Sequence, residues 1–153
     1  MRFVIGVLLV ILSDQISKIW VQNNLNLMES IPVIRGIFHI TYIQNPYSAF
    51  GLLRFHNAVF IIIALLVILI IVFFLRNKIT EKNKLVFFSL IFLLGGSLGN
   101  MLDRLRVGSV IDFLDFRIWP IFNIADSAIN IGLFLLVVHF LFHKEEKPED
   151  KLD

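Results

Sequence analysis

The sequence predicts an all-α membrane protein with four transmembrane helices and a partly extended region outside them. Composition is the first reason, because 58% of the 153 residues are hydrophobic and only 17% are charged, outside the range of soluble domains. The second reason is a set of long runs without charged residues, since about 20 apolar residues span the hydrocarbon core. These runs include Ala58–Leu75, Leu85–Leu102 and Ser127–Phe142. The length allows a single domain, expected over residues 1–142.

The first span is expected at about residues 3–21. It opens with an apolar run at residues 3–12, which also fits the hydrophobic part of a cleavable signal peptide. No small-x-small cleavage site follows, and the run continues to Trp20, a residue type that anchors helices at the membrane interface. A retained span is therefore favoured. Asp14 and Lys18 lie four residues apart on one helix face, so we expect them to pair and to fix the outer end of this helix.

The region between the first two spans, about residues 22–56, is predicted to be extended in part and to lie on the membrane surface. In residues 36–45, apolar side chains alternate with more polar ones, and this period of two is typical of a strand. His39 lies on the polar side of the alternation. This position favours a solvent-side residue over a metal ligand, since no second ligand lies at metal-binding spacing. Asn45 and Pro46 then begin a turn or loop.

Charges outside the spans predict the orientation of the bundle. The loop at residues 76–84 carries four basic residues among nine, and short basic loops stay in the cytoplasm. Both termini are then expected inside, including a charged cytoplasmic tail at residues 143–153 that lacks core-forming residues. The remaining spans are expected at about residues 57–75, 85–103 and 122–142. Three arginines fall on the outer side against the charge rule, which indicates a local role for them: Arg104, Arg106 and Arg117.

The stretch at residues 95–126 joins the last two spans and is rich in acidic residues. Ionisable groups near membrane depth are costly and are interpreted as functional by default. Gly95 and Gly99 have the small-xxx-small spacing that allows close helix packing. Asn100 is expected to form a hydrogen bond across the bundle, and Asp103–Arg104 a charge pair at the helix end. The aspartates of this stretch are Asp103, Asp112, Asp115 and Asp126.

Asp112 and Asp126 flank a single apolar loop that can bring their carboxylates together. Asn123 fits the N-cap of the last helix, which gives Asp126 a purely structural interpretation beside the free amides and the helix dipole. Two carboxylates a few ångströms apart share one proton, so the ionised one can accept a proton from water while the protonated one polarises a carbonyl. This chemistry hydrolyses an amide without metal, serine or cysteine, and the chain has no cysteine. The helix N-terminus favours Asp126 as the ionised member. By spacing alone, Asp115 is a rival for Asp112.

Several short motifs at these positions resemble those of the bacterial lipoprotein signal peptidases, the signal peptidase II family. Together with the four-span pattern, they cover nearly the whole chain except the tail. The matching stretches are Asp14-Gln-Ile-Ser-Lys18, Asn45-Pro-Tyr-Ser-Ala-Phe-Gly51, Gly99-Asn100-Met-Leu-Asp103-Arg104, Gly108-Ser-Val-Ile-Asp112-Phe113 and Phe122-Asn123-Ile-Ala-Asp126-Ser127. Tyr47 and Ser48 depart from the glycine and alanine that the family usually has there, so the local turn is expected to differ.

The resemblance implies an aspartic endopeptidase of the bacterial cytoplasmic membrane, with its active site at the outer face. Such enzymes remove the signal peptide from diacylglyceryl-modified prolipoproteins by cutting before the lipidated cysteine. Asp112 and Asp126 would be the catalytic dyad, and the outer region would supply an extracytoplasmic β-sheet and a surface helix that embrace the substrate. Globomycin-type inhibition is expected, with no cofactor, metal or nucleic acid, and with a monomer sufficient. Residues expected to support the site are Asp14, Lys18, Asn45, Asn100, Asp103, Arg104 and Asn123.

Two other classes of protein remain as alternatives. A small ion-coupled transporter also uses membrane carboxylates, but normally places them in mid-helix rather than at helix ends beside an apolar loop. A structural or assembly subunit explains the glycines and the apolar spans but not two acids at helix ends. Access to Asp112 and Asp126 from both sides of the membrane in alternation would distinguish a transporter from a peptidase.

Overall fold

Four helices and three strands form the part of the chain that the structure, a computed structural model, describes: residues 1–46, 57–76 and 83–142. The predicted tail, most of the predicted basic loop and the segment at residues 47–56 lie outside the described residues, so the predicted surface helix stays a prediction. The helices are α1 (Arg2–Asn24), α2 (Asn57–Arg76), α3 (Lys84–Val107) and α4 (Ile124–Phe142), and the strands are β1 (Ser30–Ile34), β2 (Phe38–Asn45) and β3 (Val110–Asp115).

Three of the helices, α1, α3 and α4, are long and apolar enough to cross a membrane by length and composition. They correspond to the first, third and fourth predicted spans. In α2 the apolar stretch among the described residues, Ile61–Ile71, is shorter than a membrane span, so the second predicted span is not confirmed. Large apolar side chains such as Leu9, Leu69 and Phe134 are exposed on the outward surfaces of the bundle, as expected where a helix faces lipid rather than water.

The helix α3 lies against the other three helices, and glycines set its distance from two of them. A Cβ added to Gly95 would lie 2.7 Å from the Val10 side chain of α1, and one added to Gly96 would lie 2.5 Å from the carbonyl oxygen of Ala125 in α4. Gly99 approaches the Asp14 carboxylate equally closely, at 2.7 Å. The predicted close packing at Gly95 and Gly99 is therefore confirmed, and it lies beside the charged residues of the bundle.

The three strands form an antiparallel sheet in the order β1-β2-β3. One face of the sheet packs on the end of α1 through the buried side chains of Val21, Tyr42 and Phe113. The predicted strand at residues 36–45 is confirmed as β2, but a register shift between Ile40 and Ile43 interrupts its simple alternation. His39 is half-buried, and its Nδ1 atom lies 3.1 Å from the hydroxyl of Ser30, so the prediction of a solvent-side residue was wrong.

The end of α3 positions the third strand. Gly108 closes the helix in the left-handed conformation (φ 76°) that glycine adopts at low cost, and its N–H donates to the carbonyl oxygen of Arg104. The chain can therefore reverse within two residues and enter β3, of which Asp112 is the third residue. This tight connection brings Asp112 back beside the helix ends, where Asn100 and Asp126 lie.

Candidate active site

Asp112 and Asp126 meet around the side chain of Asn123. The Asn123 Oδ1 atom accepts a 2.8 Å hydrogen bond from the backbone N–H of Asp126, and the Asn123 N–H donates to Asp126 Oδ2 at 3.3 Å. This reciprocal capping pair is the arrangement that the sequence predicts for the start of α4. The other end of the same amide, Nδ2, donates to Asp112 Oδ1 at 2.6 Å. One buried asparagine thus holds both carboxylates.

Each of the two carboxylates also accepts a hydrogen bond from a second asparagine. The Asn45 Nδ2 atom at the end of β2 donates to Asp112 Oδ2 at 3.0 Å, and the Asn100 Nδ2 atom of α3 donates to Asp126 Oδ1 at 2.8 Å. These four amide donors orient the two carboxylates without supplying an opposite charge. Asn45, Asn100 and Asn123, all predicted as supporting residues, therefore lie where they contact the pair directly.

Burial, followed by the negative charge of Asp126, raises the pKa of Asp112 to about 7. The hydrogen bonds from Asn45 and Asn123 and the charge of Lys18 act against this shift. Asp112 therefore retains a proton at a pH where an exposed aspartate would have lost it. The protonation state fits a carboxylate pair that shares one hydrogen ion.

A second buried cluster, centred on Lys18, lies next to the residues that hold Asp112 and Asp126. The Lys18 ammonium lies 2.8 Å from Asp14 Oδ2 and 2.7 Å from Asp103 Oδ2, and all three side chains are fully buried. The predicted Asp14–Lys18 pair is confirmed, although it lies inside the bundle. Asp103 forms an ion pair with Lys18, and its charge also acts on the neighbouring Arg104. Burial on this scale requires the charges to be paired and hydrogen-bonded.

This cluster connects directly to the elements that carry the two carboxylates. Asp14 Oδ1 accepts from the backbone N–H of Ala125, next to Asp126, and Asp103 Oδ2 accepts from the N–H of Ile111, next to Asp112. Lys18 also donates to Asn100 Oδ1 at 3.0 Å. Because that oxygen is occupied, the amide nitrogen of Asn100 is directed at Asp126.

Gln15 belongs to this cluster and was missed by the sequence analysis. Its Nε2 atom lies within hydrogen-bonding distance of Asp14 Oδ2, Asp103 Oδ1 and the carbonyl oxygen of Gly99, at 3.1, 3.0 and 3.2 Å. The signal in the sequence is an amide next to a charged pair inside an apolar helix, within a stretch that resembles the family motif. That signal indicates a buried polar neighbour but not which one.

Asp115, the rival of Asp112, is buried in a separate hydrogen-bond group. Its carboxylate accepts from the Thr41 hydroxyl at 2.7 Å and from the Arg117 backbone and guanidinium at 2.8 and 2.9 Å. Burial tends to raise the pKa of Asp115, but the hydrogen bonds of Thr41 and Arg117 and the charge of Arg117 outweigh it and hold the pKa below its usual value. The structure therefore gives Asp115 partners of its own, away from the shared asparagine.

A cavity of about 680 Å³ lies between α2, α3 and α4, and its lining includes Asn100, which donates to Asp126. Its lining is mostly aliphatic, with Asn100 and Arg104 at one end of α3 and His139 toward the opposite end of the bundle. Arg104 is largely buried, and the charges of Asp112 and Asp126 act on it. Within the described residues, no three His, Cys, Asp or Glu side chains are grouped as metal ligands. Metal-free chemistry stays a prediction.

A family model described as "Signal peptidase (SPase) II" matches residues 6–142 of the chain. The chain belongs to the signal peptidase II family. Membership makes it a membrane protease of the aspartic type, as the motif resemblance implies. The five stretches of this chain that resemble the family motifs all lie within the matched residues. The buried clusters described above are built largely from those stretches.

Relatives in other bacteria agree over nearly the full length. The chain is 44% identical to the lipoprotein signal peptidase of Halothermothrix orenii, over 93% of this chain and 96% of that protein. It is 45% identical to that of Moorella thermoacetica, over 98% and 99%. A bacterial membrane enzyme solved by the in meso method at 2.3 Å resolution has a TM-score of 0.88 and 30% identity, covering 99% of this chain and 94% of that one.

Proposed function

We propose that this signal peptidase II cleaves diacylglyceryl-modified prolipoproteins immediately before the lipidated cysteine, with Asp112 and Asp126 as the catalytic dyad. The observation that carries the proposal is their common contact with Asn123, which brings two buried carboxylates from different elements to one amide. The family supports the removal of signal peptides from prolipoproteins, since its members are named lipoprotein signal peptidases. No second function is favoured by any feature of the site.

In the proposed reaction, the two carboxylates exchange protons with water and substrate. Asp126 lies in the first turn of α4, where the helix dipole favours its ionised form. It accepts a proton from water as the water oxygen attacks the scissile carbonyl carbon. Protonated Asp112 transfers its hydrogen to the carbonyl oxygen, which gives a neutral tetrahedral diol.

Breakdown of the diol restores the starting state. Asp126 returns its proton to the leaving nitrogen as the C–N bond breaks, and Asp112 recovers a proton from one of the hydroxyl groups. No charge is left on the product at the moment of bond cleavage. Asn45 and Asn100 keep each carboxylate in place through both steps, because their amides can donate to either protonation state with little movement.

The cavity beside the dyad supports an apolar substrate. Its aliphatic lining between α2, α3 and α4 suits the hydrophobic segment of a signal peptide or an acyl chain. Arg104 and Asn100 lie at the end of the cavity nearest the carboxylates and can donate hydrogen bonds to a peptide carbonyl. The buried cluster of Asp14, Lys18 and Asp103 acts indirectly. Its two carboxylates accept hydrogen bonds from the backbone N–H groups next to Asp126 and Asp112, and so fix the backbone beside each acid.

The proposed topology has four spans, with α2 as the second, both termini in the cytoplasm and the dyad at the outer face. Residues 1–142 then form one membrane-embedded domain that works as a monomer. The outer arginines that break the charge rule have local partners: Arg106 donates to Gln22 Oε1 at 3.1 Å, and Arg117 pairs with Asp115 at 2.9 Å. These contacts explain how the outer side tolerates basic residues against the usual bias.

Cleavage of matched precursors tests the proposal. Purified protein in lipid is incubated with one prolipoprotein in diacylglyceryl-modified and unmodified forms, and the products are identified by mass spectrometry. We expect cleavage of the modified form alone, a mature product that begins with the lipidated cysteine, and inhibition by globomycin. Equal cleavage of the unmodified precursor, or a cut elsewhere, would contradict the proposed specificity.

A further inference from the structure

A hydrogen-bond bracket around Asp115 shapes the loop between β3 and α4. The buried carboxylate holds Thr41 of β2 on one side and both the backbone and the guanidinium of Arg117 on the other, at distances of 2.7 to 2.9 Å. Thr41 is in turn 2.8 Å from the hydroxyl of Ser30 in β1. The bracket thus connects all three strands to the loop, and none of its groups contacts Asp112 or Asp126.

The bracketed loop presents apolar side chains outward. Arg117 adopts a left-handed conformation (φ 66°), which is unfavourable for a residue with a Cβ and is held here by its bonds to Asp115. The next residue, Ile118, is 94% exposed, and Trp119 is 58% exposed. Isoleucine and tryptophan side chains that a strained turn holds outward do not stabilise a surface that faces water, so they indicate a surface that contacts another apolar partner.

The exposed loop is continuous with the apolar tip of the β1–β2 hairpin. Phe116 contacts Phe38 of β2, with ring centroids 4.9 Å apart, and stacks on Phe122 at 5.9 Å. Basic side chains border the surface, because Arg35 lies in the hairpin turn and the Arg117 side chain is about half exposed. We call the following residues the outer apolar patch: Ile34, Ile37, Phe116, Ile118 and Trp119.

We propose that the outer apolar patch inserts into the headgroup region of the outer leaflet. Trp119 precedes the first residue of α4, a candidate span, by five residues, so it lies within about 17 Å of that helix start along the chain. Trp20 lies near the outer end of α1 and is also about half exposed. Tryptophan beside exposed apolar side chains and arginine is typical of elements that lie in the interface. The anchor requires the proposed topology but not peptidase activity.

Tryptophan fluorescence tests the anchor directly, since the chain has only two tryptophans. In full-length Trp20→Phe protein, Trp119 is the reporter, and in Trp119→Phe protein, Trp20 gives the reference depth. Both are reconstituted into vesicles of phosphatidylcholine and phosphatidylglycerol brominated either near the headgroup end or near the methyl end of the acyl chains. We expect the two tryptophans to be quenched to a similar extent, and more strongly by bromine near the headgroup end.

Two further variants, each in the Trp20→Phe background, test the parts of the patch. Ile118→Asp is expected to roughly halve the quenching of Trp119 by bromolipid, because a charge opposes insertion into the interface. Asp115→Asn should change it in the same direction by loosening the bracket. Met28→Asp is the matched control, an exposed apolar residue at the far end of the hairpin that should leave Trp119 quenching unchanged.

Quenching of Trp20 without quenching of Trp119 would overturn the anchor, as would free access of aqueous iodide to Trp119 in the vesicles. Protection of Trp119 that rises with protein concentration and not with bromolipid would assign the patch to a second copy of the chain. None of these readouts depends on cleavage, so failure of the anchor is distinguishable from failure of the proposed peptidase function.

Discussion

At the scale of single residues, the two carboxylates differ in their surroundings although both are aspartates held by amides. Asp126 belongs to the first turn of a helix, whereas Asp112 lies on a strand and has a pKa near 7 because of burial and its neighbour's charge. The helix N-terminus favours the ionised form of Asp126, and burial favours the protonated form of Asp112. The proposed mechanism assigns Asp126 as the base and Asp112 as the acid for this reason.

Replacing either acid by its amide should abolish cleavage while the protein stays folded. Asp112→Asn and Asp126→Asn each remove a proton-transfer group, so we expect kcat to fall by at least ~10²–10⁴-fold. Initial rates on the lipidated precursor measure this, with thermal unfolding in detergent as the check on folding. Asp115→Asn is the control and should have a much milder effect. Complete loss in that variant, with an active Asp112→Asn enzyme, would exchange the assignments.

The rate should also depend on the protonation of Asp112. Because Asp112 acts in its protonated form and Asp126 in its ionised form, kcat/KM should fall as the pH rises through about 7 and should also fall at the lower pH where Asp126 takes up a proton. Asn45 lowers this pKa by donating to the carboxylate, so Asn45→Ala should move the alkaline limb to higher pH. Rate profiles of the two proteins provide the comparison. An unchanged limb would show that Asn45 does not act through Asp112.

At the scale of secondary-structure elements, glycines decide how close α4 comes to α3. A Cβ at position 96 would collide with the backbone carbonyl of Ala125, which cannot move without shifting the start of α4 and Asp126 with it. Overpacking of this kind typically costs about 1–3 kcal/mol. The position of α4, which carries Asp126 of the proposed dyad, therefore depends on the absence of a side chain at Gly96.

Gly96→Ala should consequently lower both the melting temperature and kcat, since a displacement of about 1 Å at a catalytic group can cost ~10²-fold in rate. The matched control is Gly6→Ala, whose added methyl meets the movable end of the Ile91 side chain at 2.8 Å. Thermal unfolding and cleavage rates of both variants give the comparison. Equal effects at the two positions would argue against a specific role for the contact between Gly96 and Ala125.

The elements show which features a sequence can reveal. The capping pair of Asn123 and Asp126 and the pairing of Asp14 with Lys18 are local, so spacing along a helix was enough to predict them. The contact of Lys18 with Asp103 joins residues far apart in the chain, and no local pattern indicated it. The polar alternation around His39 gave the wrong environment, because the hydroxyl of Ser30 on the neighbouring strand contacts its ring, and the side chain is half-buried.

At the scale of the whole molecule, one buried ammonium connects most of the fold. Lys18 of α1 binds two carboxylates, which in turn hold the backbone at the start of β3 and of α4. Removing one partner from such a group leaves uncompensated buried charge, and this is more damaging than replacing the whole group. The stability of the bundle and the geometry of the dyad therefore depend on the same cation.

Lys18→Met should lower the free energy of unfolding by about 3–5 kcal/mol, because Asp14 and Asp103 are left buried as like charges. Adding Asp103→Asn to this variant should restore part of the loss, since one of the two negative charges is removed. Thermal or denaturant unfolding in detergent measures both proteins. A double variant less stable than Lys18→Met would show that repulsion between the carboxylates is not the cause.

In the proposed mechanism, the amide of Asn123 also makes catalytic activity depend on the completion of folding. The Asn123 side chain caps the last helix and also donates a hydrogen bond to Asp112 of the third strand. The arrangement of the two acids is therefore complete only when both elements have formed. A copy in which strand and helix have not docked lacks the common amide contact that joins the two acids of the proposed dyad. The proposed mechanism therefore makes hydrolytic activity dependent on the docking of strand and helix.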